Sequence, residues 1–269
     1  MSVSRFFLTL LTPVTRNAIN AIVIEIKKLN KTFGACKALN NLNITVEPGE
    51  IFGFLGPNGA GKTTAVKIIS GILRPTSGTV LIGGYDILND TIKAKRTLAY
   101  IPDEPFVYPK LTGYEFLRFI GDIYKVPFSY QKSEIPNLMK IFDLTEFTHE
   151  LLETYSHGMK QKLLIAGVLL RRPKVLLFDE PTVGLDPKSI KKFKDILSDL
   201  AKKGTTIFMC THILEMAQKL CTKIAIVNFG RLIAEGTMAD LKKVAAMDAG
   251  ADHSLENIFL KLTDAVVAK

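Results

Sequence analysis

Residues 51–64 read Ile51-Phe52-Gly53-Phe54-Leu55-Gly56-Pro57-Asn58-Gly59-Ala60-Gly61-Lys62-Thr63-Thr64. An apolar run with strand character passes into a loop that fits G-x-x-x-x-G-K-[ST], and helical spacing follows from about Lys62 to Leu73. Strand, glycine loop and helix form the context in which that pattern has meaning. Glycines let the backbone wrap an anion with its N–H groups pointing inward, and the helix N-terminus adds partial positive charge. Lys62 can reach the β- and γ-phosphates of a nucleotide, and Thr63 can offer its hydroxyl to Mg2+. Gly56 to Thr64 are therefore candidate phosphate-binding residues.

Working outward, Ile22–Leu29 and Leu39–Val46 alternate as strands before the loop, and Pro48-Gly49 turns the chain into Ile51. Past the helix, Pro75–Gly78 reads as a turn and Val80–Ile82 as a short strand closed by Gly83-Gly84. Between about Thr91 and Glu153 the periodicity becomes helical, around Tyr114–Tyr124 and Ile135–Phe142, with Pro127 and Pro136 as breakers. Alternation then resumes: helix Met159–Leu170, strand Val175–Phe178, helix Ile190–Ala201, strand Thr205–Cys210, helix Leu214–Leu220 and strand Ile224–Val227. That rhythm, with continuously apolar strands, predicts an α/β protein with a buried, mainly parallel sheet.

Asp179 closes the apolar strand Val175–Phe178. A carboxylate at the carboxyl edge of a parallel sheet suits holding Mg2+. Glu180 follows as the candidate to orient or deprotonate water. Upstream, Ser156-His157-Gly158 opens a helix with small, polar residues that suit a second phosphate contact.

Composition sets wider bounds. At 269 residues and 47% hydrophobic content the chain has ample material for a core, which excludes global disorder. A net charge of +9 is compatible with nucleic acid, with acidic lipid, or with a lysine-rich solvated surface. The lysines form only short clusters, so charge alone selects no partner. Three cysteines, Cys36, Cys210 and Cys221, lack C-x-x-C spacing, which suits a reducing cytoplasm. Cys36 and Cys210 are expected to be buried thiols in or beside strands. Residues 1–21 read as a loose extension whose apolar Phe6–Leu11 is too short to span a bilayer or to serve as a secretory signal core.

The order of these motifs resembles the nucleotide-binding subunit of ATP-binding-cassette (ABC) transporters over about residues 22–235. The phosphate loop, the signature at Ser156–Gln161, the acidic strand, Leu185-Asp186 and His212 follow one another as in that family. The resemblance implies a P-loop NTPase core, an N-terminal antiparallel β subdomain, a helical insertion over about 91–153 and a helical tail over 236–269. It implies ATP and Mg2+ as ligands, Glu180 as catalytic carboxylate and His212 as the switch residue at the γ-phosphate. Phe33 corresponds to the aromatic that stacks on adenine, with a core role as its rival. Ser156 and Gly158 would meet the γ-phosphate bound by an opposite subunit, and Asp186 would link the two sites.

This sequence departs from the family's commonest signature, with His157 in place of a glycine and Met159 in place of a glutamine. A protonated His157 near a phosphate would strengthen ATP binding at low pH. In the lid-like loop Tyr100-Ile101-Pro102-Asp103-Glu104, Asp103 stands where a glutamine is usual. It is expected to bind Mg2+ or hold a water. The chain carries one cassette, so the resemblance implies a second cassette and integral membrane permease subunits on separate chains, at the cytoplasmic face of the inner membrane. The tail Ser254–Leu262 and the variant signature are similar to ABC-2-type exporter ATPases of the drug-resistance and Ecs type. The rival, a soluble ABC ATPase acting on nucleic acid or ribosomes, usually carries two cassettes or a long coiled coil. No nucleic acid is expected.

Overall fold

The computed structural model describes residues 23–245 and 254–267. The expected extension 1–21 lies outside them. In chain order the elements are β1 (Ile24–Phe33), β2 (Cys36–Val46), β3 (Ile51–Leu55), α1 (Lys62–Ile69), β4 (Ser77–Ile82), β5 (Tyr85–Asp86), α2 (Thr91–Thr97) and β6 (Leu98–Ile101). Helices α3 (Gly113–Ile123), α4 (Phe128–Ile141) and α5 (His157–Leu170) follow, then β7 (Val175–Asp179), α6 (Pro187–Lys202), β8 (Thr206–Cys210) and α7 (Leu214–Leu220). The chain continues through β9 (Lys223–Asn228), β10 (Arg231–Gly236), α8 (Met238–Val244) and α9 (Leu255–Val267).

Among the described residues the strands form two sheets. One is antiparallel, in the order β2-β1-β4-β5, and the other runs β10-β9-β3-β8-β7-β6. In the second sheet β9, β3, β8, β7 and β6 are parallel and only β10 turns back. Strands β3, β7 and β8 are buried along their whole length, because both faces of the sheet are covered. On one face Phe52 and Phe54 meet Ile26, Leu42 and Ile44 of the antiparallel sheet and Val66 and Ile69 of α1. On the other, Leu176 and Ile207 pack against Leu163 of α5 and Ile196 and Leu197 of α6. A third core places Leu255 and Ile258 of α9 over Leu55, Ala217 and Ile226.

Three expectations are corrected. Within the stretch read as a helical insertion, Leu98–Ile101 is the edge strand β6, paired in parallel with β7. Its four residues are too short for alternation to register, and only pairing with β7 fixes them as a strand. Pro136 does not break a helix but lies inside α4. It sits on the exposed face with Lys132, while Ile135, Leu138 and Met139 are buried on the opposite side, so the N–H that proline lacks falls on the solvent side of the helix. Cys36 is exposed, since the β1–β2 hairpin reaches beyond the core at its tip, whereas Cys210 is buried as expected.

Candidate functional site

The parallel strands β3, β8, β7 and β6 are neighbours in that order, so the segments leaving their carboxyl ends lie side by side. They are the phosphate loop after Leu55, His212 after Cys210, Glu180 after Asp179, and Asp103 after Ile101. Residues dispersed along the sequence from Gly56 to His212 thus converge on one sheet edge because adjacent strands are only about 5 Å apart.

The loop is held from both sides. Gly61 adopts φ 99°, and a Cβ there would stand 2.5 Å from the Ala38 carbonyl oxygen of β2. Only glycine permits both that conformation and that approach. The Lys62 ammonium donates to the carbonyls of Gly56 at 2.7 Å and Pro57 at 3.1 Å, which keeps it within the loop's concavity. Phe33 lies at the tip of the same hairpin that touches Gly61. It is 49% exposed, with the Lys31 ammonium 4.7 Å from its ring centroid. The core role weighed for Phe33 is therefore excluded.

Asp179 is buried, and its Oδ2 has no hydrogen-bond partner. Burial raises its pKa, the Thr63 hydroxyl bond opposes that rise, and the nearby charges of Asp103 and Glu180 add to it. Glu180 has a left-handed backbone (φ 49°), fixed by its N–H donating to the Cys210 carbonyl at 2.9 Å. Its carboxylate faces His212: Oε1 lies 2.9 Å from Nδ1, and Oε2 accepts the His212 backbone N–H at 3.3 Å. Such a double contact fixes the direction of both side chains.

Ser156, Gly158 and Asp186 form a second group. Ser156 caps α5 by accepting the Met159 N–H at 3.3 Å. A Cβ at Gly158 would stand 2.6 Å from the Gly184 carbonyl oxygen. Asp186 caps α6 through the Ser189 N–H at 2.9 Å and pairs with Lys162 at 3.3 Å, and these bonds, Ser189 foremost, hold its carboxyl far below the usual range.

Two neighbours escaped sequence reasoning. Tyr100 of β6 buries a hydroxyl without a partner, and burial, then the charges of Asp179 and Asp103, push its pKa upward. Its only signal was a position before Pro102. Phe259 of α9 lines, with Gly56, Pro57, Asn58, His212 and Leu214, a cavity of about 270 Å3 beside the phosphate loop. No local pattern could place a residue more than 200 positions away there.

A glycine-rich phosphate loop between strand and helix, facing an acidic strand end in a parallel sheet, defines a P-loop nucleotide-binding protein. The family model described as ABC transporter matches residues 39–183. The linearmycin resistance ATP-binding protein LnrL of Bacillus subtilis is 36% identical over 81% of this chain and 70% of its own length. The probable multidrug ABC transporter ATP-binding protein YbhF of Escherichia coli is 38% identical over 89% of this chain, which spans only 41% of YbhF. A solved ATP-binding subunit of an ABC transporter superposes with a TM-score of 0.85 at 33% identity, covering 90% of this chain and 99% of that one. The chain belongs to the ABC transporter family, as an ATP-binding and ATP-hydrolysing cassette.

Proposed function

We propose that this cassette powers an exporter, working as one of a pair docked on membrane subunits carried by separate chains at the cytoplasmic face of the membrane. The observation that carries the reading is the meeting of Lys62 and Thr63 with Asp179, Glu180 and His212 at adjoining strand ends. In this reading Lys62 and the N–H groups of Gly56–Thr64 bind the phosphates of ATP, and Phe33 stacks on its base.

The buried, unpartnered Oδ2 of Asp179 fits a cation, which would relieve the penalty on its charge. Thr63 and Asp179 would hold Mg2+, with Asp103 beside them. Among the described residues no three His, Cys, Asp or Glu gather into a metal cage. That suits an ion which keeps water and phosphate oxygens among its ligands. When bound, Mg2+ supplies charge neutralisation at the phosphate oxygens. Glu180, oriented by His212, accepts the proton of the attacking water. His212 carries the state of the γ-phosphate into the turn before α7, while Ser156 and Gly158 serve the partner's ATP and Asp186 links the two sites.

The catalytic unit is read as residues 22–235, with the insertion as the permease-facing part. Its surface supports this: Phe106, Tyr108 and Phe119 are exposed and in mutual ring contact through Tyr108, at centroid distances of 5.8 Å and 5.3 Å. Among the described residues no helix is long and apolar enough to cross a membrane. Export follows from the drug-related names of LnrL and YbhF. The deciding experiment is Glu180→Gln, incubated with ATP and Mg2+ and examined by size-exclusion chromatography. Loss of the general base should lower hydrolysis by about 100-fold or more and leave a stable ATP-bound dimer. An ATP-bound variant that stays monomeric would overturn the paired mechanism.

A further inference from the structure

His157 is the first residue of α5, directly after the capping Ser156, and its side chain is exposed. Its ring lies edge-on against Gly184: a Cβ built there would stand 3.1 Å from Nε2 and closer still to Cδ2. From the other side Gly158 meets the Gly184 carbonyl oxygen. Gly184, at φ 79°, is therefore enclosed between the ring of His157 and the backbone of Gly158.

The same first turns of α5 hold the rest of this loop. Gln161 Nε2 donates to the Pro181 carbonyl at 3.4 Å, and Lys162 pairs with Asp186 at 3.3 Å. The loop itself is wound tightly onto Glu180. Val183 N–H donates to the Glu180 carbonyl at 3.3 Å, and Leu185 N–H to that of Thr182 at 3.2 Å. The Gln161 and Lys162 anchors are a hydrogen bond and an ion pair, and Gly158 offers a backbone contact. His157 supplies the side-chain packing that closes the loop on its exposed side.

We infer that His157 is a positioning residue, which fixes the Gly184-Leu185-Asp186 loop against the signature helix and so sets how Glu180 of this chain and Ser156 of this chain move together. The inference rests on the proposed paired mechanism, in which those two residues serve different ATP molecules. It assigns the imidazole a steric role within its own subunit, in contrast to a charged contact with phosphate.

A double-mutant cycle on the full chain, reading steady-state ATPase and nucleotide affinity, tests this. Gly184→Ala alone should lower kcat by about tenfold or more, because the new methyl meets the His157 ring. His157→Gly should lower kcat severalfold and leave KM for ATP unchanged. In the His157→Gly background, Gly184→Ala should cost only about twofold, the residue of its left-handed backbone. His157→Gln, which keeps reach without charge, should restore kcat relative to His157→Gly. Should Gly184→Ala be too unstable to assay, thermal unfolding of the same four proteins without nucleotide should display the same non-additivity.

Two outcomes overturn the inference: equal costs of Gly184→Ala in both backgrounds, or a His157→Gly variant whose defect lies in KM with kcat intact. A wild-type protein without ATPase activity would instead refute the proposed function, and the thermal cycle would still report on the contact.

Discussion

At the scale of single residues, the site trades stability for chemistry. Asp179 ionises against the cost of burial and against the neighbouring charges of Asp103 and Glu180, with one hydroxyl bond from Thr63 in its favour. A carboxyl whose folded-state pKa is raised weakens the fold at pH values above that pKa. Asp179→Asn removes the charge at constant shape. It should therefore raise the melting temperature of the nucleotide-free protein by about 2–4 °C, if on the order of 1 kcal/mol is relieved, while abolishing ATPase activity. Differential scanning fluorimetry with and without ATP reads both halves, and a lowered melting temperature would contradict the electrostatic account. Most of these residues were legible because the phosphate loop and acidic strand end are local patterns with a chemical reason for each position. The contact of Glu180 with His212 and the orphaned Asp179 oxygen were not, since they depend on where adjacent strand ends point.

Elements are fixed by caps and by a small number of cross-links. Thr112 and Glu115 form a capping box on α3, and Thr237 and Asp240 form another on α8. Backbone and then side-chain bonding to Thr112 lowers the pKa of Glu115, and the Thr237 hydroxyl lowers that of Asp240. Depressed carboxyl pKa values contribute stability that is complete above the ordinary range, near 4, and is lost as pH falls through the folded-state values. Melting temperature should therefore decline below about pH 4, and Glu115→Gln should flatten that decline in a pH series.

The helical insertion is clasped to the core by the end of α5. Arg171 donates to the Leu98 carbonyl of β6 at 3.0 Å, and its guanidinium lies 3.2 Å from the Tyr124 ring centroid. Arg172 donates to the Tyr130 hydroxyl at 2.9 Å. Arg171→Ala should destabilise by about 1–3 kcal/mol, combining a lost hydrogen bond with a lost cation–π contact. Limited proteolysis should then cut first within residues 102–153. Cuts elsewhere would show that the clasp does not hold the insertion. Helical periodicity made α3 and the second half of α4 readable. It missed β6 because an edge strand of four residues carries no period of its own.

On the scale of the molecule, the C-terminal helix α9 completes the fold and reaches the site. Ile258 and Leu255 are fully buried over Leu55 and Ala217, and Phe259 faces the phosphate loop across the cavity that His212 lines. Ile258→Ala should cost about 2–5 kcal/mol, read as a lower midpoint in denaturant. A change below about 0.5 kcal/mol would place α9 among elements that ride on the surface.

The sequence by itself determined the phosphate loop, the acidic strand end, the signature turn and the α/β rhythm. Each is written in residues close along the chain, whose spacing matches a strand, a turn or a helix. It could not decide that β6 joins the parallel sheet, that Cys36 and Phe33 are exposed, or that His157 packs on Gly184. Those follow from strand order and from which surfaces meet. They are set by the burial of distant apolar residues against one another, an energy that no local window of sequence contains.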